Sequence, residues 1–95
     1  MSEPTSLDDV RRRIDELDAR LTALLAERQG LVRAAAAYKR DEESVRAPDR
    51  VERVVAAARD RAARSGLSPQ VAEAVWRAMI AAFVEYELAE HRGAR

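Results

Sequence analysis

The sequence predicts an all-α fold with three helices per chain, one long and two shorter, in a single domain over residues 1–95. Apolar residues recur at spacings of three, four and seven along three segments, which is the helical period. No segment alternates apolar and polar residues as a half-buried strand does. All three prolines stand at or before the expected helix starts, so they separate the segments without interrupting them.

The first helix is expected from Leu7 to about Arg40. Thr5 or Ser6 can cap its start, and the acidic residues that follow suit the positive end of the helix dipole. No proline and only one glycine, Gly30, interrupt this segment. Its apolar stripe consists of Leu7, Val10, Ile14, Leu17, Leu21, Leu24, Leu31 and Ala35.

Two shorter helices follow a break at the segment RDEESVRA. Pro48 suits the first turn of the second helix, which Ser65 and Gly66 end. Ser68 and Pro69 are typical of a cap and first residue of the third helix. We expect a buried side made of Val71, Val75, Met79, Ala82, Phe83 and Tyr86 and a frayed tail, HRGAR.

The length of the first helix predicts a homodimer. About 35 helical residues extend about 50 Å, whereas a compact domain of this size has a radius of gyration of about 12 Å. Two shorter helices cannot cover such a stripe along its whole length. We therefore expect a second copy of the chain to cover it, with the long helices paired.

Composition excludes several classes of function. Lys+Arg and Asp+Glu both number 17, so no bulk charge favours nucleic acid. Cysteine is absent and His91 is the only histidine, so we expect no metal site. No apolar run reaches the roughly 18 residues of a membrane span, and the first residues lack the pattern of a signal peptide. The cytoplasm is the expected setting.

Two cations interrupt the apolar stripe of the first helix. At 100° per residue, Arg28 and Lys39 share the direction of Leu21 and Ala35, and their Cα atoms would lie about 16 Å apart. Their long side chains could close on a small anion, or each could extend from the stripe to water. Arg11, at the edge of the stripe, is either solvated or meets Arg28 of the other chain in an antiparallel dimer.

Glu87 is an acid on the apolar arc of the third helix. Burial favours the protonated form of a carboxyl, which can then donate a hydrogen bond to an oxygen that gains charge. We accordingly expect activity to fall as rising pH removes that proton. The alternative is that Glu87 lies at the rim of a wide arc.

These residues resemble the all-α chorismate mutase class, the family that also includes isochorismate pyruvate lyases. The matching elements are V-R-x-x-I-D-x-L-D from Val10, then L-L-A-x-R, then a lysine eleven residues after that arginine. The resemblance continues through APDRVERVV into the third helix and so covers nearly the whole chain. It implies an intertwined homodimer with two identical sites, which rearranges chorismate to prephenate without a cofactor.

The resemblance also implies a role for each matching residue. Arg11 would reach into the partner's site and bind one substrate carboxylate, and Arg28 would bind the other. Lys39 would hydrogen-bond the ether oxygen as the C–O bond breaks. Arg50 would lie near the site, and Glu87 would contact the same ether oxygen.

Two departures leave the substrate open. Ala47 stands where many chorismate mutases carry an acid that binds the C4 hydroxyl, and Phe83 stands where they carry a serine. The segment APDRV is similar to one in isochorismate pyruvate lyases, which form salicylate. A 4-amino-4-deoxychorismate mutase is a further option within the family. Outside it, the alternative is a dimeric helical interaction module without activity.

Overall fold

The computed structural model describes residues 2–93, and these contain helices but no strand. The helices are α1 (Leu7–Ala36), α2 (Glu42–Arg46), α3 (Pro48–Ser65) and α4 (Pro69–Gly93). The prediction of an all-α chain with one long and two shorter helices is confirmed, and α2 is an additional five-residue helix within the expected break. The chain divides into two compact units, residues 1–31 and 32–95.

The first unit contains most of α1. Ser6 caps the helix, because its Oγ accepts a hydrogen bond of 3.0 Å from the backbone N–H of Asp9. Asp9 in turn accepts 3.1 Å from the N–H of Thr5, and this bond, followed by that of Arg12, lowers the pKa of its carboxyl. The expected cap is confirmed at Ser6.

The apolar stripe of α1 lies largely in water. Seven large side chains between Leu7 and Leu31 are each 41% to 72% exposed: Leu7, Ile14, Leu17, Leu21, Leu24, Leu25 and Leu31. Monomers rarely expose so continuous an apolar surface unless it meets a partner.

The second unit is built on the packing of α3 and α2 against α4. Small residues let the helices approach closely, and the buried apolar side chains of the unit are Ala36, Val45, Val55, Ala58, Ala62, Ala72 and Leu88. Three residues expected on the buried side of the last helix are exposed: Val71 and Val75, each 50% exposed, and Ala82. That part of the prediction is wrong for the chain by itself, because α4 turns Ala72 and Leu88 inward instead.

Local signals explain the ends of α3 and α4. Pro48 is the first residue of α3, and Gly66 ends it with a φ of 79°, where the N–H donates to the carbonyl of Ala62. Ser68 Oγ accepts 3.3 Å from the N–H of Val71, and α4 begins at Pro69. These boundaries confirm the prediction. The tail is helical as far as Gly93, contrary to expectation, while residues 94 and 95 lie outside the described part.

Candidate active site

Lys39 lies beyond the end of α1, and the expectation that it belongs to that helix is wrong. The backbone N–H groups of Ala37, Tyr38 and Lys39 donate to carbonyls three residues earlier, at 3.3, 3.0 and 3.4 Å. Such bonds tighten a last turn and end an α-helix. Helical geometry therefore does not place Lys39 in the apolar stripe, and its position is set by contacts with α4.

Lys39 and Glu87 form a close ion pair inside the second unit. The ammonium Nζ lies 2.6 Å from Oε2 of the carboxylate, with the two side chains 28% and 8% exposed. The approach is close in distance but not aligned as a hydrogen bond, because Oε2 is buried without a hydrogen-bond partner of good geometry among the described residues. The expectation that Glu87 is buried is confirmed, and its immediate partner is a cation.

His91 makes a second contact with Lys39. Its Nε2 lies 2.9 Å from the Lys39 carbonyl oxygen, and the residue is only 6% exposed. From the sequence, His91 is expected only in a frayed tail, with no role in a site. Its spacing of four residues after Glu87, which puts both on one face of α4, was the signal available.

Ala47 occupies the junction between α2 and α3 in a left-handed conformation. Its φ is 36° and its ψ is 63°, and among the described residues no other non-glycine has a positive φ. Its N–H donates 2.9 Å to the Glu43 carbonyl, and its own carbonyl accepts 3.1 Å from Val51. One residue thus ends α2 and begins α3 at the cost of backbone strain, which often accompanies functional sites.

A cleft of about 340 Å³ lies between α3 and α4. Its lining includes the apolar residues Val51, Ile80 and Val84 and charged residues such as Arg46. On α4, Glu87 follows Val84 by three residues and Ile80 by seven, so it lies on the same side of the helix. Neither Lys39 nor Glu87 lines this cleft, so the structure does not place the ion pair within it.

A network of charges holds α3 to α4 beside this cleft. Arg77 donates to both oxygens of Glu52, at 2.9 and 3.0 Å, and to Glu73 at 2.9 Å. Arg59 donates to the same Glu73 at 2.8 Å. The hydrogen bonds from Arg77 lower the pKa of Glu52 and that of Glu73, and the two carboxylates raise the pKa of Arg77.

Among residues 2–93, no group of three or more histidine, cysteine, aspartate or glutamate side chains is placed to hold a metal ion. Nor does any helix in this range combine the length and apolar character needed to cross a membrane.

The family model of chorismate mutase type II matches residues 10–88. The chain belongs to this family. No curated protein matches the chain in a sequence comparison. The matched span contains the whole candidate set from Arg11 to Glu87 and ends just before His91. The resemblance to the all-α chorismate mutase class and the chorismate mutase activity that it implies are both confirmed at the level of the family.

The remaining residues that the family resemblance selected lie on three helices. Arg11 is exposed and Arg28 half-buried on the α1 part of the first unit. Arg50 is exposed in the first turn of α3. Phe83, one turn before Glu87, is half-buried and meets the ring of Tyr86 edge-on at 6.5 Å. The contacts of the structure join Lys39 to Glu87; the roles of the arginines stay predictions.

Proposed function

We propose that the protein rearranges chorismate to prephenate in a cationic pocket in which Lys39 and Glu87 are the polar centre. The observation that carries the proposal is their 2.6 Å ion pair, with Glu87 almost fully buried. The family match supplies the substrate class.

The chemistry requires positioning and charge without a nucleophile. In this rearrangement a C–O bond breaks and a C–C bond forms within one molecule, so no proton or group leaves. The enzyme must hold a dianion in a compact conformation and stabilise the charge that grows on the ether oxygen. We assign the ammonium of Lys39 to that oxygen, because it is a partly buried cation and carries three donors.

Glu87 holds Lys39 in the free protein and must change partner when substrate binds. A carboxylate only accepts hydrogen bonds, so Glu87 can donate to the ether oxygen only after it gains a proton. We infer that substrate draws the ammonium of Lys39 toward the ether oxygen and that a protonated Glu87 is the productive form.

Arginines are proposed to bind the two substrate carboxylates. Arg28 would anchor one of them, Arg11 of the partner subunit would bind the other, and Arg50 would lie at the edge of the site. Guanidinium groups suit this role because they bind carboxylates through two parallel hydrogen bonds.

The proposal includes an intertwined homodimer, since Arg11 has to come from a second chain. The exposed apolar stripe of α1 supports it: seven large side chains are 41% to 72% exposed along the helix that carries Arg11 and Arg28. A second copy would bury this stripe and complete each site. The single domain, the cytoplasmic setting and the absence of nucleic-acid, membrane and cofactor partners stay predictions.

A second candidate is the elimination of pyruvate from isochorismate. Ala47 favours the lyase, because its methyl group cannot hydrogen-bond a C4 hydroxyl. The left-handed backbone of Ala47 fixes the position of that methyl group. Phe83 favours the lyase for a similar reason, because it lacks the hydroxyl of the serine that many chorismate mutases carry at this position. The amino-substrate mutase shares this argument, since its substrate also differs at C4.

Parallel incubations distinguish these readings. The protein is mixed separately with chorismate, isochorismate and 4-amino-4-deoxychorismate; the chorismate absorbance, the fluorescence of salicylate and the products of each mixture are followed. Prephenate from chorismate supports the proposal, whereas salicylate alone selects the lyase. If no substrate is turned over, the proposal fails and the helical interaction module becomes the favoured alternative. The variant Arg28→Ala tests the assigned carboxylate anchor. We expect it to abolish turnover while the dimer persists.

A further inference from the structure

Lys39 lies in a segment with little regular structure of its own. Residues 37–40 follow the end of α1 and precede the Asp41 cap of α2, and they belong to neither helix. A side chain on such a segment has its position set by tertiary contacts. For a residue that has to meet a reacting oxygen, those contacts decide the geometry.

His91 provides one of these contacts from 52 residues away. A carbonyl only accepts hydrogen bonds, so the 2.9 Å contact requires the proton of the imidazole on Nε2. The other ring nitrogen, Nδ1, is buried without a hydrogen-bond partner among the described residues. Burying an unpaired polar atom costs stability, which is unexpected at a residue that serves packing alone.

Glu87 and His91 contact opposite ends of Lys39, its side-chain ammonium and its main-chain carbonyl. Glu87 pairs with the ammonium of Lys39, and His91 binds its main-chain carbonyl. The two residues are four apart on α4, so they project from one face of a rigid helix. Lys39 is thereby attached at two points to a single element.

We propose that His91 is a positioning residue, which fixes the Lys39 main chain through its Nε2–H and so sets the place of the ammonium beside Glu87. Its effect on catalysis rests on the proposed function. Its effect on the geometry of Lys39 does not, and the two are measured separately.

Two amide variants isolate the hydrogen bond from the bulk of the side chain. The Nε2 of a glutamine is as many bonds from Cβ as the Nε2 of histidine, whereas the amide of asparagine matches the Nδ1 position. His91→Gln therefore keeps a donor for the Lys39 carbonyl, and His91→Asn loses it, with the same functional group in both. If the proposal is right, His91→Asn lowers kcat about 10- to 100-fold, because a displacement of a catalytic group by about 1 Å can slow a reaction by that much.

The kinetic pattern separates positioning from a merely structural role. We expect KM to change less than kcat in His91→Asn, because the carboxylates are bound elsewhere, and His91→Gln to recover most of the lost kcat. Equal kcat values in the two variants would overturn the proposal. A fall in activity that each variant's lower melting temperature fully explains would also overturn it.

Nuclear magnetic resonance tests the contact even in a protein without turnover. His91 is the only histidine and Lys39 the only lysine, so each labelled residue type gives one signal. We expect the imidazole nitrogens of the wild-type protein to show the Nε2–H tautomer, and the Lys39 amine signal to shift in His91→Asn more than in His91→Gln. An Nδ1–H tautomer, or identical Lys39 shifts in both variants, would refute the positioning. Failure of wild-type turnover with these shifts intact would refute the proposed function alone.

Discussion

The Lys39–Glu87 pair predicts a measurable cost for Glu87→Gln. The substitution keeps the shape of the side chain and removes its charge. At 2.6 Å, the Coulomb attraction between unit charges is about 2 kcal/mol in water and about 6 kcal/mol at an effective dielectric constant of 20. Burial of Glu87 offsets much of this gain through lost hydration, and Lys39, 28% exposed, keeps part of its own. We therefore expect the free energy of unfolding to fall by about 1–3 kcal/mol at neutral pH.

A double-mutant cycle measures this interaction. Glu87→Gln, Lys39→Met and the double variant are unfolded in urea at one protein concentration, because a dimer makes apparent stability depend on concentration. Contacting charges are expected to couple by about 0.5–3 kcal/mol. A coupling near zero would refute the ion pair. The same Glu87→Gln protein should keep its activity, because the amide still offers a donor to the ether oxygen; loss of turnover in this variant would contradict the role given to Glu87.

Three further predictions concern stability and assembly. Ala47→Gly should stabilise the chain by about 0.5–1 kcal/mol in urea unfolding, since the left-handed conformation costs other residues about 1–2 kcal/mol and glycine loses about 0.5–1 in flexibility; a loss would contradict the strain. Leu21→Asp, at a side chain 54% exposed in the single chain, should yield folded monomers in sedimentation, and an intact dimer would refute the α1 interface. Because Arg77 lowers the pKa of Glu73 from 4.5, the stabilisation is present above that value and lost as pH falls through the folded pKa. The melting temperature of Glu73→Gln should therefore approach that of wild type in acid, and a constant difference would contradict this.

Residues that begin or end helices made the helix boundaries in the second half of the chain predictable from the sequence. Pro48, Gly66, Ser68 and Pro69 each act through local backbone geometry, which does not depend on the rest of the fold. Similarly, the uncovered stripe of α1 was expected from helix length and periodicity alone. The family motifs then selected Lys39 and Glu87, which the structure brings into contact.

Tertiary contacts account for what the sequence did not show. The run AAAAY contains strong helix formers and no stop signal, so the end of α1 at Ala36 had no local mark. Asp41 caps α2 by accepting from the N–H and hydroxyl of Ser44, at 2.8 and 2.7 Å, inside a segment read as a break. His91 contacts the main-chain carbonyl of Lys39, which is 52 residues away. No sequence spacing predicts a hydrogen bond between a side chain and so distant a main-chain atom.

Prephenate formation by wild-type protein and by Lys39→Met, at equal enzyme concentration and saturating chorismate, tests the central claim most directly. Methionine keeps the unbranched apolar stem of the side chain and removes the terminal ammonium that we place on the ether oxygen. Wild-type protein should form prephenate, and the variant should be about 100- to 1,000-fold slower, the usual effect of removing one donor to a developing oxyanion. No prephenate from the wild-type protein, or equal rates from the two, would contradict the account.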